Sequence, residues 1–224
     1  MPTWGDLKTE IEDEYDLAEE TFIDPDELMM LGNEAIEDVE KEIQIANPSY
    51  FRASEPLALI SGQSTYDLPA DIFANKIELI MFDASESNTY EIKPIRNLAV
   101  IPDIEPGDDF RYLITNKATE GTKVKIYPTP TANDSTSATI YYIRNARRFE
   151  DNTTELDIPE AAGFIKQYVV DKSANKEAMQ PGAAESPALA RKRKLFLDSI
   201  KVMTPDDNNQ PLLGEMPYRD QVGY

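Results

Sequence analysis

Neither cysteine nor histidine occurs anywhere in the 224-residue chain. Without cysteine there is no disulfide framework, and the redox compartment is left open. Without either residue a Ser-His-Asp or Cys-His catalyst is excluded, as is zinc held by imidazole or thiolate. Long apolar runs are missing too: none approaches the roughly 20 residues a helix needs to span a bilayer. The N-terminus lacks the basic-then-apolar pattern of a signal segment. Basic side chains are scarce, 22 against 42 acidic ones, for a net charge of −20. That deficit argues against a surface that neutralises phosphates, because nucleic-acid affinity comes largely from Lys and Arg releasing counterions. It also argues against docking on anionic lipid, so no membrane partner is expected. Gly5, Gly32, Gly62, Gly107 and Gly121 stand apart from one another, so no phosphate-binding loop is present. Neither a cofactor nor a metal is expected. A chain of this length can bury one substantial core, as one domain or a domain with appendages.

What is present begins with acid. Between Met1 and Pro56 there are 17 acidic residues and three basic ones, Lys8, Lys41 and Arg52. Thr3 and Asp6 have the spacing of a capping pair. Trp4, Leu7, Ile11 and Tyr15 then draw an apolar stripe on a short helix. A second helix opens at Asp24-Pro25, with Glu27 three residues past Asp24, and ends at Asn47-Pro48. Leu28, Gly32, Ile36, Val39 and Ile43 line one of its faces, and Glu34, Glu37, Asp38, Glu40 and Glu42 cover the others. The plain reading of this acid is a solvated face on a packed helix. A functional one is that many copies of the helix line a passage for something negative, repelling it. Clustered carboxylates can also bind metal, but the spacing fits no calcium loop.

From Leu57 the period changes from helix to strand. Strand-length segments run at 57–60, 65–68, 77–82, 89–93, 110–114, 123–127 and 138–143, with turn formers between them. Lys125 between Val124 and Ile126 shows the alternation of a half-buried sheet. Pro128 and Pro130 cannot donate to a ladder, so they end a strand or sit at an edge. The expected fold is α+β: N-terminal acidic helices (1–56), a central antiparallel β-sandwich or barrel (57–150), C-terminal helices (151–203) and an extended C-terminal arm (204–224).

Three stretches carry a resemblance: Tyr66-x-Leu68-Pro69-x-Asp71, then Ile126-Tyr127-Pro128-Thr129-Pro130, then Ile140-Tyr141-Tyr142. With Glu155-Leu156-Asp157-Ile158-Pro159 leading into a helix, the pattern resembles the head-to-tail adaptor (neck, or connector) proteins of tailed bacteriophages. It extends from about Trp4 to about Met179. The resemblance implies a structural virion protein rather than an enzyme. It implies a homo-oligomeric ring, a dodecamer, assembled in the host cytoplasm and bound beneath the portal protein. Tail or nozzle proteins would dock below, and genomic DNA would pass through without sequence-specific binding.

Behind the β-rich centre, Asp157 and Glu160 have capping-box spacing before a helix reaching about Met179, and Ser186-Pro187 starts another. This last helix carries Arg191-Lys192-Arg193-Lys194, the longest basic run in the chain. Its two readings are charge pairing with the acidic helices, within or between subunits, and contact with DNA. From Thr204 the composition shifts to loop formers. Pro211, Leu212, Leu213, Met216, Pro217, Tyr218 and Tyr224 make this tail more apolar than solvation requires. The expectation is an arm that orders on a partner, and the resemblance points to the portal or a neighbouring subunit. Two other functions compete: another phage ring or tail-completion protein, and a cell-wall hydrolase using paired carboxylates. The hydrolase requires two carboxyls a few ångströms apart, one with a raised pKa, and no pair stands out in the sequence.

Overall fold

Thr3 and Asp6 close the cap that their spacing predicts. The Thr3 amide donates to Asp6 Oδ2 at 2.8 Å, and the Asp6 amide donates to Thr3 Oγ1 at 3.2 Å. From there α1 (Trp4–Tyr15) runs with Trp4, Leu7 and Ile11 buried. Asp24 caps α2 (Pro25–Ala46) by accepting from the Asp26 amide at 2.8 Å, with Pro25 in the first turn. Its 22 residues make a rod of about 33 Å. The computed structural model describes residues 1–15, 23–85, 88–117, 121–131, 138–178 and 184–203.

The rear helices form with one difference from expectation. A 3₁₀ turn (Pro159–Ala161) leads into α3 (Ala162–Glu177), which has no side-chain cap. Neither Ile158 before the 3₁₀ turn nor Ala161 before α3 supplies a side-chain cap, and the Asp157 carboxylate accepts from the Arg147 amide at 2.7 Å. Helix α4 (Pro187–Met203) is capped as its sequence suggests, the Leu189 amide donating to Ser186 Oγ at 3.1 Å.

Two compact units result. One joins Met1–Asn47 to the chain from Arg147 onward, so helices from opposite ends of the sequence share a core. Here α3 packs against α1, α2 and α4, burying Trp4, Ile36, Ile43, Phe164, Val169 and Phe196. The chain after the sheets is stitched to the N-terminus: Trp4 and Leu156 amides donate to the Thr154 and Pro2 carbonyls at 3.0 and 2.9 Å.

The other unit, Pro48–Ala146, holds eight strands among the described residues. They are β1 (Arg52–Pro56), β2 (Thr65–Asp67), β3 (Ile72–Ser85), β4 (Asn88–Glu91), β5 (Lys93–Pro94), β6 (Arg111–Lys117), β7 (Gly121–Tyr127) and β8 (Ala138–Arg144). One sheet has the order β1-β8-β3-β4 and the other β2-β7-β6-β5. Every pairing is antiparallel except the short parallel one of β5 with β6. Ile80, Phe82 and Tyr142 from the first sheet meet Tyr112, Val124 and Ile126 from the second in one apolar core. This is a sandwich, and the barrel alternative is not realised among the described residues. The reason lies in the edges: β2 has three residues and β5 two, one of them Pro94, too little ladder to bridge one sheet to the other. Leu57-Ala58-Leu59-Ile60, expected as a strand, is not a continuous one: the Leu57 amide still donates to the Ala138 carbonyl of β8 at 2.9 Å, and Leu57 and Leu59 enter the core.

Candidate functional site

The basic run on α4 is divided by the helix that carries it. Arg193 is half-buried, while Arg191, Lys192 and Lys194 are exposed. Four consecutive side chains point around an entire helical turn, so only one of them can face the packed side. The Arg193 guanidinium donates from Nε to Glu185 at 2.9 Å and lies 3.7 Å from Asp38 and 3.8 Å from Glu42. Its plane also sits 4.8 Å from the Phe164 ring centroid. Burial works against its charge, but the Glu185 hydrogen bond and the carboxylates of Glu185, Asp38 and Glu42 outweigh it and hold its pKa above the usual value. Arg191, Lys192 and Lys194 form no ion pair among the described residues. The predicted contact arm, Pro211, Leu212, Leu213, Met216, Pro217, Tyr218 and Tyr224, lies outside the described residues.

Other cations of the rear helices and of the segment before them also meet the acid of the front helices. Lys166 pairs with Glu10, and Lys176 with Glu27 at 2.5 Å. Arg148 donates to Glu40, only 3% exposed, at 2.6 Å. Asn33 clamps the Phe149 backbone from both sides: its Nδ2 donates to the carbonyl at 3.0 Å, and its Oδ1 accepts from the amide at 2.7 Å. None of these partners was identifiable from periodicity. Asn33 and Phe149 are 116 positions apart, and only the packing of α2 beside the post-sheet segment brings them together.

Nothing in the geometry assembles a reaction centre from the described residues. No group of three or more acidic side chains there is placed to hold a metal ion. The carboxyls with displaced pKa values, Asp6, Glu37 and Asp151, are all lowered, each mainly by hydrogen bonds to a neighbour. A general acid for glycan hydrolysis needs the opposite displacement. No helix among the described residues is long and apolar enough to cross a membrane.

The displaced tyrosines predict an alkaline transition. Burial, reinforced by Asp71, pushes Tyr142 up to about 12, and burial with Asp38 and Glu34 pushes Tyr168 up to about 12. Both folded values exceed the ordinary value of 10.0, so the unfolded chain releases these protons first. Their stabilising contribution is complete below pH 10 and is lost as pH climbs towards 12. Denaturant midpoints measured across that window should fall, and should fall less steeply in Tyr168→Phe. An unchanged slope in that variant would remove Tyr168 from the account.

Comparison with known proteins matches the design to a family. The model of the SU10 adaptor protein family matches residues 2–213, from the first turn of the front helices into the C-terminal segment. No curated protein matches the chain. With both units and nearly the whole length covered, the chain belongs to the SU10 adaptor protein family, a family of bacteriophage adaptors.

Proposed function

We propose that this chain is a head-to-tail adaptor of a tailed phage, a structural virion protein that forms a ring beneath the portal and joins it to the tail. The observation that carries the reading is the family match over residues 2–213, which spans helical unit and sandwich together. The ring closes by heterologous contacts, one surface of each copy against a different surface of the next. Arg191, Lys192 and Lys194 remain available on α4 for carboxylates of a neighbour, while Arg193 braces the subunit from within. The arm from Pro211 to Tyr224, with Leu212, Leu213, Met216, Pro217 and Tyr218, binds the portal. Genomic DNA passes through without sequence-specific contact, since the acidic surface repels phosphate rather than holding it.

Mass measurement of the full chain, alone and with portal rings, tests this directly. The expected result is a defined ring with the portal present. Truncation after Met203 should abolish portal binding and leave the fold intact. A chain that stays monomeric with the portal present overturns the reading. A ring that forms but ignores the portal and binds tail proteins makes it a tail-completion protein instead.

A further inference from the structure

The outward face of the β2-β7-β6-β5 sheet is cationic in a chain that is otherwise acidic. Tyr112, Val124 and Ile126 face the core, so the residues alternating with them on β6 and β7 face out. The register sets Lys93 beside Arg111, Arg111 beside Tyr127, Leu113 beside Lys125, and Thr115 beside Lys123. Lys123 is neutralised by Asp67 on β2. Lys93 and Arg111 are exposed and form no ion pair among the described residues. Lys125 has no carboxylate partner there either, its ammonium lying 4.9 Å from the Tyr127 ring centroid.

At Lys93 and Arg111 this arrangement works against the isolated fold. Sheet stability comes from the inner face and from favourable cross-strand pairs, and like charges set directly opposite, as Lys93 and Arg111 are, destabilise the pairing. That cost is small and falls on one pair, but with Lys125 the cations lacking a carboxylate partner among the described residues lie on three adjacent strands around half-buried Leu113 and Tyr127. Such a face is suited to an acidic partner surface rather than to water.

The chain itself supplies one. Residues 1–47 contain 16 acidic side chains and two basic ones. On α1, Asp13 and Glu14 are exposed and form no ion pair among the described residues. We propose that the outward face of this sheet, through Lys93, Arg111 and Lys125, docks the acidic front helix of a second copy of the chain. This rests on the ring reading, which requires each copy to present two unlike, complementary surfaces. Nucleic acid fits the face less well. Three uncompensated cations neutralise few phosphates, and the field of a chain with net charge −20 opposes a polyanion at longer range.

The test uses the full chain, with sedimentation velocity of assembly alone and with portal rings, at low and high salt. Lys93→Glu/Arg111→Glu/Lys125→Glu should weaken subunit association by about tenfold or more while leaving circular dichroism unchanged. Adding Asp13→Lys/Glu14→Lys to that variant should restore most of the loss, because the charges then attract again with signs exchanged. Assembly of the triple variant at wild-type strength overturns the contact alone. A charge-exchanged variant no better than the triple removes α1 as the occupant. Wild-type chain that never assembles overturns the ring reading and this contact with it. Loss of duplex-DNA retention with assembly intact would make the face a nucleic-acid surface instead.

Discussion

Replacing Trp4 by alanine is expected to destabilise the helical unit by about 3–5 kcal/mol, the cost of deleting a large buried aromatic. Trp4 is 1% exposed, and its ring lies 4.8 Å, centroid to centroid, from that of Phe149. Its Nε1 has no hydrogen-bond partner among the described residues, so the loss is one of packing. Typical domains are stable by about 5–15 kcal/mol, so the substitution removes a large share of the margin. Gly32 is the counterpart of this ring on α2. A Cβ there would lie 2.7 Å from Trp4 Cζ3 and 3.0 Å from Cη2, with Phe149 Cδ2 at 3.4 Å. Alanine gains about 1 kcal/mol of helix propensity over glycine, yet overpacking a fixed ring costs about 1–3 kcal/mol. Gly32→Ala should therefore be net destabilising, although it replaces a poor helix former with the best one. Phenylalanine lacks the two atoms in conflict, so Trp4→Phe/Gly32→Ala should be more stable than the sum of its single changes. Urea denaturation checks the cycle by circular dichroism. Trp4 is the only tryptophan, so its fluorescence reports on the helical unit in Gly32→Ala. Strict additivity would mean that the glycine is not there for the ring.

Gly32 also shows where sequence reading stops. Its place on the apolar face of α2 follows from spacing, since Leu28, Gly32, Ile36, Val39 and Ile43 recur with the helical period and all are buried. The ring that requires it does not follow, because Trp4 comes from another helix and Phe149 from beyond the sandwich. Local signals were reliable in the same way: the caps at Thr3, Asp24 and Ser186 form as their residues suggest. At Asp157 the carboxylate also accepts from a donor outside its own turn, the Arg147 amide, which spacing does not reveal. Strand β1 was invisible for a related reason. Arg-Ala-Ser-Glu-Pro has no apolar alternation, and it is a strand because β8 offers it a ladder. The cationic sheet face is half legible: Lys125 alternates with Val124 and Ile126 in the sequence. That Lys93 and Arg111 continue the same face depends on strand order, which periodicity does not encode.

Arg193 is the position where the basic run of α4 should separate into two roles. Arg193→Glu is expected to cost about 2–3 kcal/mol, because it removes a partly buried charge-paired cation and sets a fourth carboxylate beside Glu185, Asp38 and Glu42. The figure stays below that for a fully buried pair because the side chain is 28% exposed and water screens part of the interaction. Arg193→Lys should fall between wild type and Arg193→Ala. It keeps the charge but lacks the planar fork that reaches several carboxylates and the flat face against Phe164. Raising salt should narrow the difference between Arg193→Glu and wild type, since the contacts at 3.7 and 3.8 Å are at the screened periphery. Arg191→Glu, Lys192→Glu and Lys194→Glu should each leave stability within about 0.5 kcal/mol, as exposed substitutions without partners do. Their effect should fall on assembly, read by sedimentation of the ring with portal. The two readouts are independent, so each residue is assigned by which one it moves. If Arg193→Glu spares stability while all four reversals impair assembly equally, the run acts as one outward-facing patch and Arg193 has no internal role. If the three exposed reversals leave assembly untouched, the helix contributes to the fold alone, and the subunit contact has to be made elsewhere, with the outward face of the sheet the next place to look.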